Sequence, residues 1–240
     1  MSAGTQLLRI RVADGDSAIS DGAPAGDRLT AMRLLLFSDL HRDLQAARRL
    51  VERSSGADVA VAAGDLATIH RGLPEIVGVL RELACPTVLV PGNGETLAEL
   101  RDACGGWAGA TVLHGSGAEV GGRSFYGLGG GVPVTPFGDW SYDFTEEEAA
   151  ELLAACPAEA ILVSHSPPNG AVDRDGGGTS LGSTAVRDAV LAKRPRLVVC
   201  GHVHACGGRH ERLGTTPVVN AGPAGVLWDL EAATKVAHSS

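Results

Sequence analysis

A chain of 240 residues, 44% hydrophobic and 20% charged, is long enough to bury one sizeable core and has the make-up of a soluble globular protein. Its formal charge of -8, with no basic run, excludes a general grip on nucleic-acid phosphates, so any anionic substrate must be attracted locally. Five cysteines in no framework spacing exclude a disulfide-stapled scaffold and favour a reducing, cytoplasmic setting; no run reaches the roughly 18 apolar residues of a membrane span, and the N-terminus lacks a signal peptide's apolar region.

Residues 1–31 read as an N-terminal extension expected to be flexible: after Leu7, Leu8 and Ile10 comes a non-periodic run of Asp, Gly, Ser, Ala and Pro that cannot bury enough surface to offset its ordering entropy. An edge strand at 6–12 is the competing reading. From Met32 to the C-terminus a single domain suffices. The first strand ends at Ser38, and a helix follows with Leu44, Ala47, Leu50 and Val51 at helical spacing and Gly56 as its stop. The second strand ends at Ala63, Pro74 opens a helix carrying Ile76, Val79, Leu80 and Leu83, and Thr87 to Val90 is the third strand.

A short helix from Thr96 leads to a strand at Thr111–Leu113 and a hairpin over 118–126, where Gly121-Gly122 supplies the positive φ of a tight turn. Residues 129–143 form a long loop, a length that points to function or to a surface loop pinned by Phe137 and Trp140. Thr145 and Glu148 form a capping box that starts the next helix. After a strand at Ala160–Val163 and a polar loop, Ser183 caps a helix that returns to the strand Leu197–Cys200, and two short strands close the chain at 216–220 and 226–230.

Five of these apolar runs end in a side chain able to bind metal: Asp39 and His41, then Asp65, then Asn93, then His165, then His202 and His204. Asp39, Asp65 and Asn93 are 26 and 28 residues apart, close to the length of one strand-helix-strand unit, so parallel strands bring them to one rim of a sheet. Gly201 is expected to let the backbone leave extended geometry so that both histidines of the last pair converge. Carboxylates, imidazoles and an amide without a thiolate suit Mn²⁺, Fe²⁺ or Zn²⁺, and seven donors are better explained by two cations than by one. Cys200 and Cys206 flank the His pair, but no second pair completes a zinc cluster.

The order D-x-H, G-D, G-N, isolated His, G-H-x-H resembles the calcineurin-like metallophosphoesterase superfamily over residues 32 to 222. That resemblance implies a four-layer α/β/β/α sandwich of two mixed sheets. It also implies two divalent metals, Mn²⁺ first and Fe or Zn as alternatives, with Asp39, His41 and His204 on one, Asn93, His165 and His202 on the other, and Asp65 bridging. Asp65, Asn93 and His165 are then the residues expected to carry catalysis. Two such metals would bring bound water from a pKa near 16 towards about 7 and so give a hydroxide nucleophile at neutral pH.

One departure stands out: many members place a His directly after the Asn, where this chain has Gly94. His70, Arg71, Glu95 and Arg174, the last with its neighbours Asp173 and Asp175, are the candidate substrate contacts; Glu95 is alternatively a support behind a metal ligand, but reads more readily as an acid favoured by a helix N-terminus. The expected activity is metal-dependent hydrolysis of phosphodiesters or small phosphorylated molecules, with nucleic acid and membrane not expected as partners and self-association left open. The alternative is a non-catalytic metal-binding scaffold of the same fold.

Overall fold

The computed structural model describes residues 31–231; the N-terminal extension and its competing edge strand at 6–12 lie outside the described residues. Four strands, β1 (Met32–Phe37), β2 (Val59–Ala63), β3 (Thr87–Val90) and β4 (Ala110–Val112), pair parallel in that order, joined by the helices α1 (Leu44–Ser54), α2 (Leu73–Leu80) and α3 (Leu97–Ala103). The second sheet holds β5 (Ser116–Val120), β6 (Arg123–Leu128), β7 (Ile161–Ser164), β8 (Leu197–Cys200), β9 (His210–Leu213) and β10 (Thr216–Asn220) in the spatial order β5-β6-β7-β8-β10-β9. Its inner four strands are parallel, its two edges antiparallel, and α4 (Glu146–Leu153) and α5 (Thr184–Lys193) connect β6 to β7 and β7 to β8. Finally β11 (Val226–Leu230) returns to pair antiparallel with β1, so both sheets are mixed.

Period-two burial explains the layering. In β1, Leu34 and Leu36 join Val61, Val90, Phe125, Val163 and Val199 in a core between the two sheets, whereas Leu35 and Phe37 face α1 to α3 with Leu50, Ile76 and Leu100. A third core under α4 and α5 contains Leu153, Leu162, Val186 and Val198. The result is the expected α/β/β/α sandwich.

Caps fix the helix starts. Asp43 accepts the N–H groups of Gln45 and Ala46, and Thr96 with Glu99 and Thr145 with Glu148 form capping boxes. Glu146 of α4 also accepts from the Ser183 hydroxyl and the N–H groups of Thr184 and Ala185, which ties the start of α5 to α4. Two details differ from the sequence reading. Leu83 is buried but lies in the turn after α2, which ends at Leu80 ahead of Pro86, a residue that disfavours helix just before it. The edge strand β9 was not expected, because His210, Glu211 and Arg212 are all exposed and leave no apolar alternation to read.

Candidate metal centre

The parallel strands of both sheets run the same way, and the residues just past β1, β2, β3, β7 and β8 converge where the two sheets meet. Asp39, Asp65, Asn93 and His165 are buried, His41 and His202 partly so, and His204 exposed. Asp39, His41, Asp65 and His202 have φ of 56°, 44°, 54° and 65°, a left-handed backbone that costs about 1 to 3 kcal/mol for non-glycine residues and collects at functional sites. It is therefore His202 itself, not Gly201, that takes the left-handed turn. Gly201 is required for a different reason: a Cβ there would lie 2.6 Å from the Asp39 carboxylate and from Ser38. At Gly92 a Cβ would lie 2.0 Å from Asp65 Oδ1. Glycine ahead of Asn93 and His202 is what lets these strand ends approach their neighbours so closely.

Asp65 faces two imidazoles with its two oxygens: Oδ2 is 3.6 Å from His41 Nε2 and Oδ1 is 3.6 Å from His165 Nε2. On one side, His41 Nε2 and His204 Nε2 are 3.0 Å apart, with His204 Nε2 3.7 Å from Asp39 Oδ1. On the other, Asn93 Oδ1 is 3.2 Å from His165 Nε2 and 3.1 Å from His202 Nδ1. Asp39, His41 and His204 present ligand atoms within 4.8 Å of one another, and so do Asp39, Asp65 and His165. All seven sequence-derived donors thus come together around two adjacent points.

The tautomers decide what these points can hold. His165 donates Nδ1–H to the Ala63 carbonyl at 2.8 Å, which leaves Nε2 facing only the acceptors Asn93 Oδ1 and Asp65 Oδ1. His41 is held the same way by the Ala67 carbonyl, with Nε2 towards His204 Nε2 and Asp65. Lone pairs converging on lone pairs need a proton or a cation between them. Among the described residues, the basic side chains paired with the buried Asp39 and Asp65 are all imidazoles, so none of them compensates the two carboxylates with a permanent positive charge. Divalent cations fit this donor set on both counts.

The charge balance is consistent with that. Burial opposes ionisation of Asp65, but His165, His41 and the Gly94 N–H hold its carboxyl below the ordinary range. Burial also opposes a charge on His165, yet Asp65 and Asp39 hold it above the usual imidazole value. Burial and then His165 push His202 down to about 4, leaving a neutral imidazole with a free lone pair at neutral pH.

Several residues that hold the donors carry no sequence motif. Ser38 donates its hydroxyl to Asp39 Oδ2 and accepts the Gly222 N–H. Asn220 donates to the carbonyls of Gly201 and Val203, on either side of His202. In the long loop, the Ser141 hydroxyl accepts from Asn93 Nδ2 and donates to Asp143, which turns the Asn93 oxygen towards the imidazoles. That loop therefore orients a donor as well as lining the cleft.

The candidate substrate contacts are placed differently. Glu95 is fully buried and accepts from Leu66, Ala67 and Gly92, bracing the loops that carry Asp65 and Asn93; burial and the Asp65 charge push it up to about 7. Its role is therefore not that of an acid at a helix start, since Thr96 and Glu99 cap α3. His70 has both nitrogens engaged, Nδ1 with Glu99 Oε2 at 2.9 Å and Nε2 with the Trp140 carbonyl at 2.6 Å, so neither is free for substrate. Exposed Arg71 closes a turn with Thr68, and exposed Arg174 donates to Gly178; neither lines the cleft. All five cysteines are free; Cys200 and Cys206 are buried, with Sγ groups directed to carbonyls rather than to the donor cluster.

Two facing mixed sheets flanked by helices, with carboxylates and imidazoles gathered around two points at their parallel strand ends, define a metal-dependent phosphoester hydrolase. Residues 32–238 match the calcineurin-like phosphoesterase superfamily domain, and the chain belongs to that superfamily. No curated protein matches the chain. Among solved structures, TT1561 of Thermus thermophilus is 23% identical over 85% of this chain and 99% of its own, with a TM-score of 0.70. A dimetal phosphatase from Danio rerio is 12% identical over 86% of this chain and 98% of its own, with a TM-score of 0.55. The phosphopantetheinyl hydrolase PptH of Mycobacterium tuberculosis is 16% identical over 79% and 88%, with a TM-score of 0.52. At these identities the likeness is one of fold. Among the described residues no helix is long and apolar enough to cross a membrane.

Proposed function

We propose that this protein hydrolyses phosphodiesters or small phosphomonoesters with two divalent cations, Mn²⁺ in the first place and Fe or Zn as alternatives, in a cytoplasmic setting. Asp39, His41 and His204 would hold one cation and Asn93, His165 and His202 the other, with Asp65 shared. The observation that carries this reading is Asp65, whose two oxygens each stand 3.6 Å from an imidazole of a different group. When bound, such a pair supplies Lewis-acid charge stabilisation and a strong nucleophile at neutral pH. The chain's own part is orientation: Ala63 and Ala67 set the tautomers of His165 and His41, and Ser141 sets the face of the Asn93 amide.

Proton donation to the leaving group is where this chain is short. Gly94 has no side chain, and its N–H is bound to Asp65 Oδ1 at 2.8 Å. The reaction should therefore favour leaving groups that depart as stable anions. The same feature favours the second reading, a metal-binding scaffold without turnover. Metal analysis of the purified protein, with Mn²⁺-stimulated hydrolysis of aryl phosphodiesters set against monoesters, separates them. The hydrolase reading expects two cations per chain, a rate that falls steeply as the leaving group's pKa rises, and a loss of about 10²-fold or more in Asp65→Ala. Two bound cations with no turnover on any ester would leave the scaffold; full activity in Asp65→Ala would falsify the shared-ligand role.

A further inference from the structure

The cleft over the donor cluster has a volume of about 430 Å³, within the range of small-molecule sites, and its two sides differ in chemistry. One side is the polar set of His41, Asp65, Asn93 and His202. The large apolar lining residues are Phe137 and Trp140 from one loop and Leu181 from another, the second loop also bringing Asp175 to the cleft. Among the described residues none of those lining the cleft is Lys or Arg, so none of them would grip a second phosphate or another anionic group of a substrate.

The apolar side is unusual for this chain. Of its nine aromatic residues, four (Phe137, Trp140, Tyr142 and Phe144) fall within eight positions of the same loop. Tyr142 and Phe144 pack inward, edge to face at 4.9 Å, with Phe144 against His114 at 4.8 Å. Phe137 and Trp140 instead stack on each other, centroids 5.6 Å apart and planes 13° from parallel, with Phe137 52% exposed. Leu181, from the other loop bordering the cleft, is 43% exposed. Large apolar groups left in water beside a polar cluster mark a binding surface.

The wall is also held. The Trp140 carbonyl accepts from His70, Thr135 and Ser141 both bond Asp143, and the Tyr142 N–H donates to the Asn93 carbonyl. A side chain presented on a braced loop loses little freedom when a ligand stacks on it.

Resting on the hydrolase reading above, the geometry points to a specificity: the organic group of the substrate is a flat aromatic ring, aryl or nucleobase, that lies against Phe137 and Trp140 while its phosphoryl group faces the donor cluster. In the aryl case this also accounts for Gly94, since an aryl oxide leaves without the proton that this position cannot supply, whereas the ribose alkoxide of a nucleotide does not.

Calorimetric titration of the Mn²⁺-loaded full-length chain with phenylphosphonate and methylphosphonate tests the wall without turnover, and the 5′-phosphonate analogues of AMP and ribose 5-phosphate ask in the same way whether the ring is a nucleobase. The phenyl ligand should bind about tenfold or more tightly than the methyl one, the effect of one stacked ring. Phe137→Ala with Trp140→Ala should remove that preference while leaving methylphosphonate affinity in place, and Phe137→Leu, which keeps an apolar surface without a π face, should reduce it. A greater gain in the nucleotide pair than in the phenyl pair identifies the ring as a nucleobase, and the reverse as an aryl group. Equal affinity for phenyl- and methylphosphonate, or a preference that survives loss of both rings, overturns the aromatic wall and leaves the hydrolase reading standing. Absence of metal-dependent binding by either phosphonate overturns both.

Discussion

Single side chains at this centre work mostly by fixing other ones, and Asn220 shows how much can rest on one amide. Its Nδ2 donates at 3.0 Å to the carbonyls of Gly201 and Val203, bracketing the left-handed His202. Asn220→Asp keeps the shape but sets a buried carboxylate against those two carbonyls. Losing two hydrogen bonds and desolvating an unpaired oxygen should cost about 3 kcal/mol of stability by urea denaturation. Metal titration should show a 10- to 100-fold weaker site, in the way expected when a ligand's support is removed. Gly94 makes the opposite kind of prediction. A Cβ there would meet the Ala67 carbonyl and Asp65 Oδ1 at 3.2 Å, so the loop must give slightly, at a cost of about 1 kcal/mol or somewhat more. Gly94→His would add a proton donor beside the cluster. Alkyl ester hydrolysis should rise about 10-fold or more while aryl esters change little, flattening the leaving-group dependence.

Among the elements, those with a clear period were legible in advance and those held by tertiary contact were not. The strand ends could be read because Leu34–Phe37, Val59–Ala63 and Leu197–Cys200 are continuous apolar runs and their spacing matches successive strand-helix-strand units. All seven donors followed from that. For Glu95 the support role was open but the helix-start role was preferred, because an acid just before a helix looks the same whether it caps that helix or reaches 28 and 29 residues back to the Ala67 and Leu66 N–H groups. Asn220 and Ser141 were hidden for the same reason, since their partners are backbone or amide groups that carry no residue pattern. The link between α3 and the long loop was equally invisible, and it has a pH signature. Both ring nitrogens of His70 face acceptors, so the link requires both N–H groups and hence the charged imidazole. The hydrogen bond to Glu99 holds His70 above its ordinary 6.5, so its contribution is whole below that value and is lost as pH rises through the raised one. Burial works against ionisation of Glu99, but the Thr96 N–H and His70 bring it below its ordinary 4.5, so its share is whole above 4.5 and lost as pH falls through the lowered value. The pair is largely exposed and worth only a few tenths of a kcal/mol. The readout is therefore local: amide exchange at 138–142, corrected for the intrinsic pH dependence of exchange, should accelerate as pH rises through the His70 transition, and His70→Ala should abolish the step.

For the whole molecule, the donor cluster is a joint between two sheets. Asp39, His41, Asp65 and Asn93 come from the first sheet and His165, His202 and His204 from the second, so each proposed cation set includes residues of both sheets. Without cations, two buried carboxylates whose basic partners among the described residues are all imidazoles stand at that joint. Three apolar cores, built mostly from the strands and helices rather than from the loops that carry the donors, argue that the chain stays folded when metal is removed. Its stability should nevertheless fall by the binding free energy: a cation at 100 times its Kd contributes about 2.7 kcal/mol, and in a domain of this size each kcal/mol is worth about 2 to 4 °C. With two such cations, thermal unfolding in EDTA should therefore begin from a folded state with a Tm about 10 to 20 °C below that in excess Mn²⁺, and the gap should close in Asp65→Ala. Because both sheets contribute ligands, metal should also slow amide exchange in the segments after β3 and after β8 together. Protection confined to one sheet, with no difference in Tm, would mean that the donors do not act as one centre.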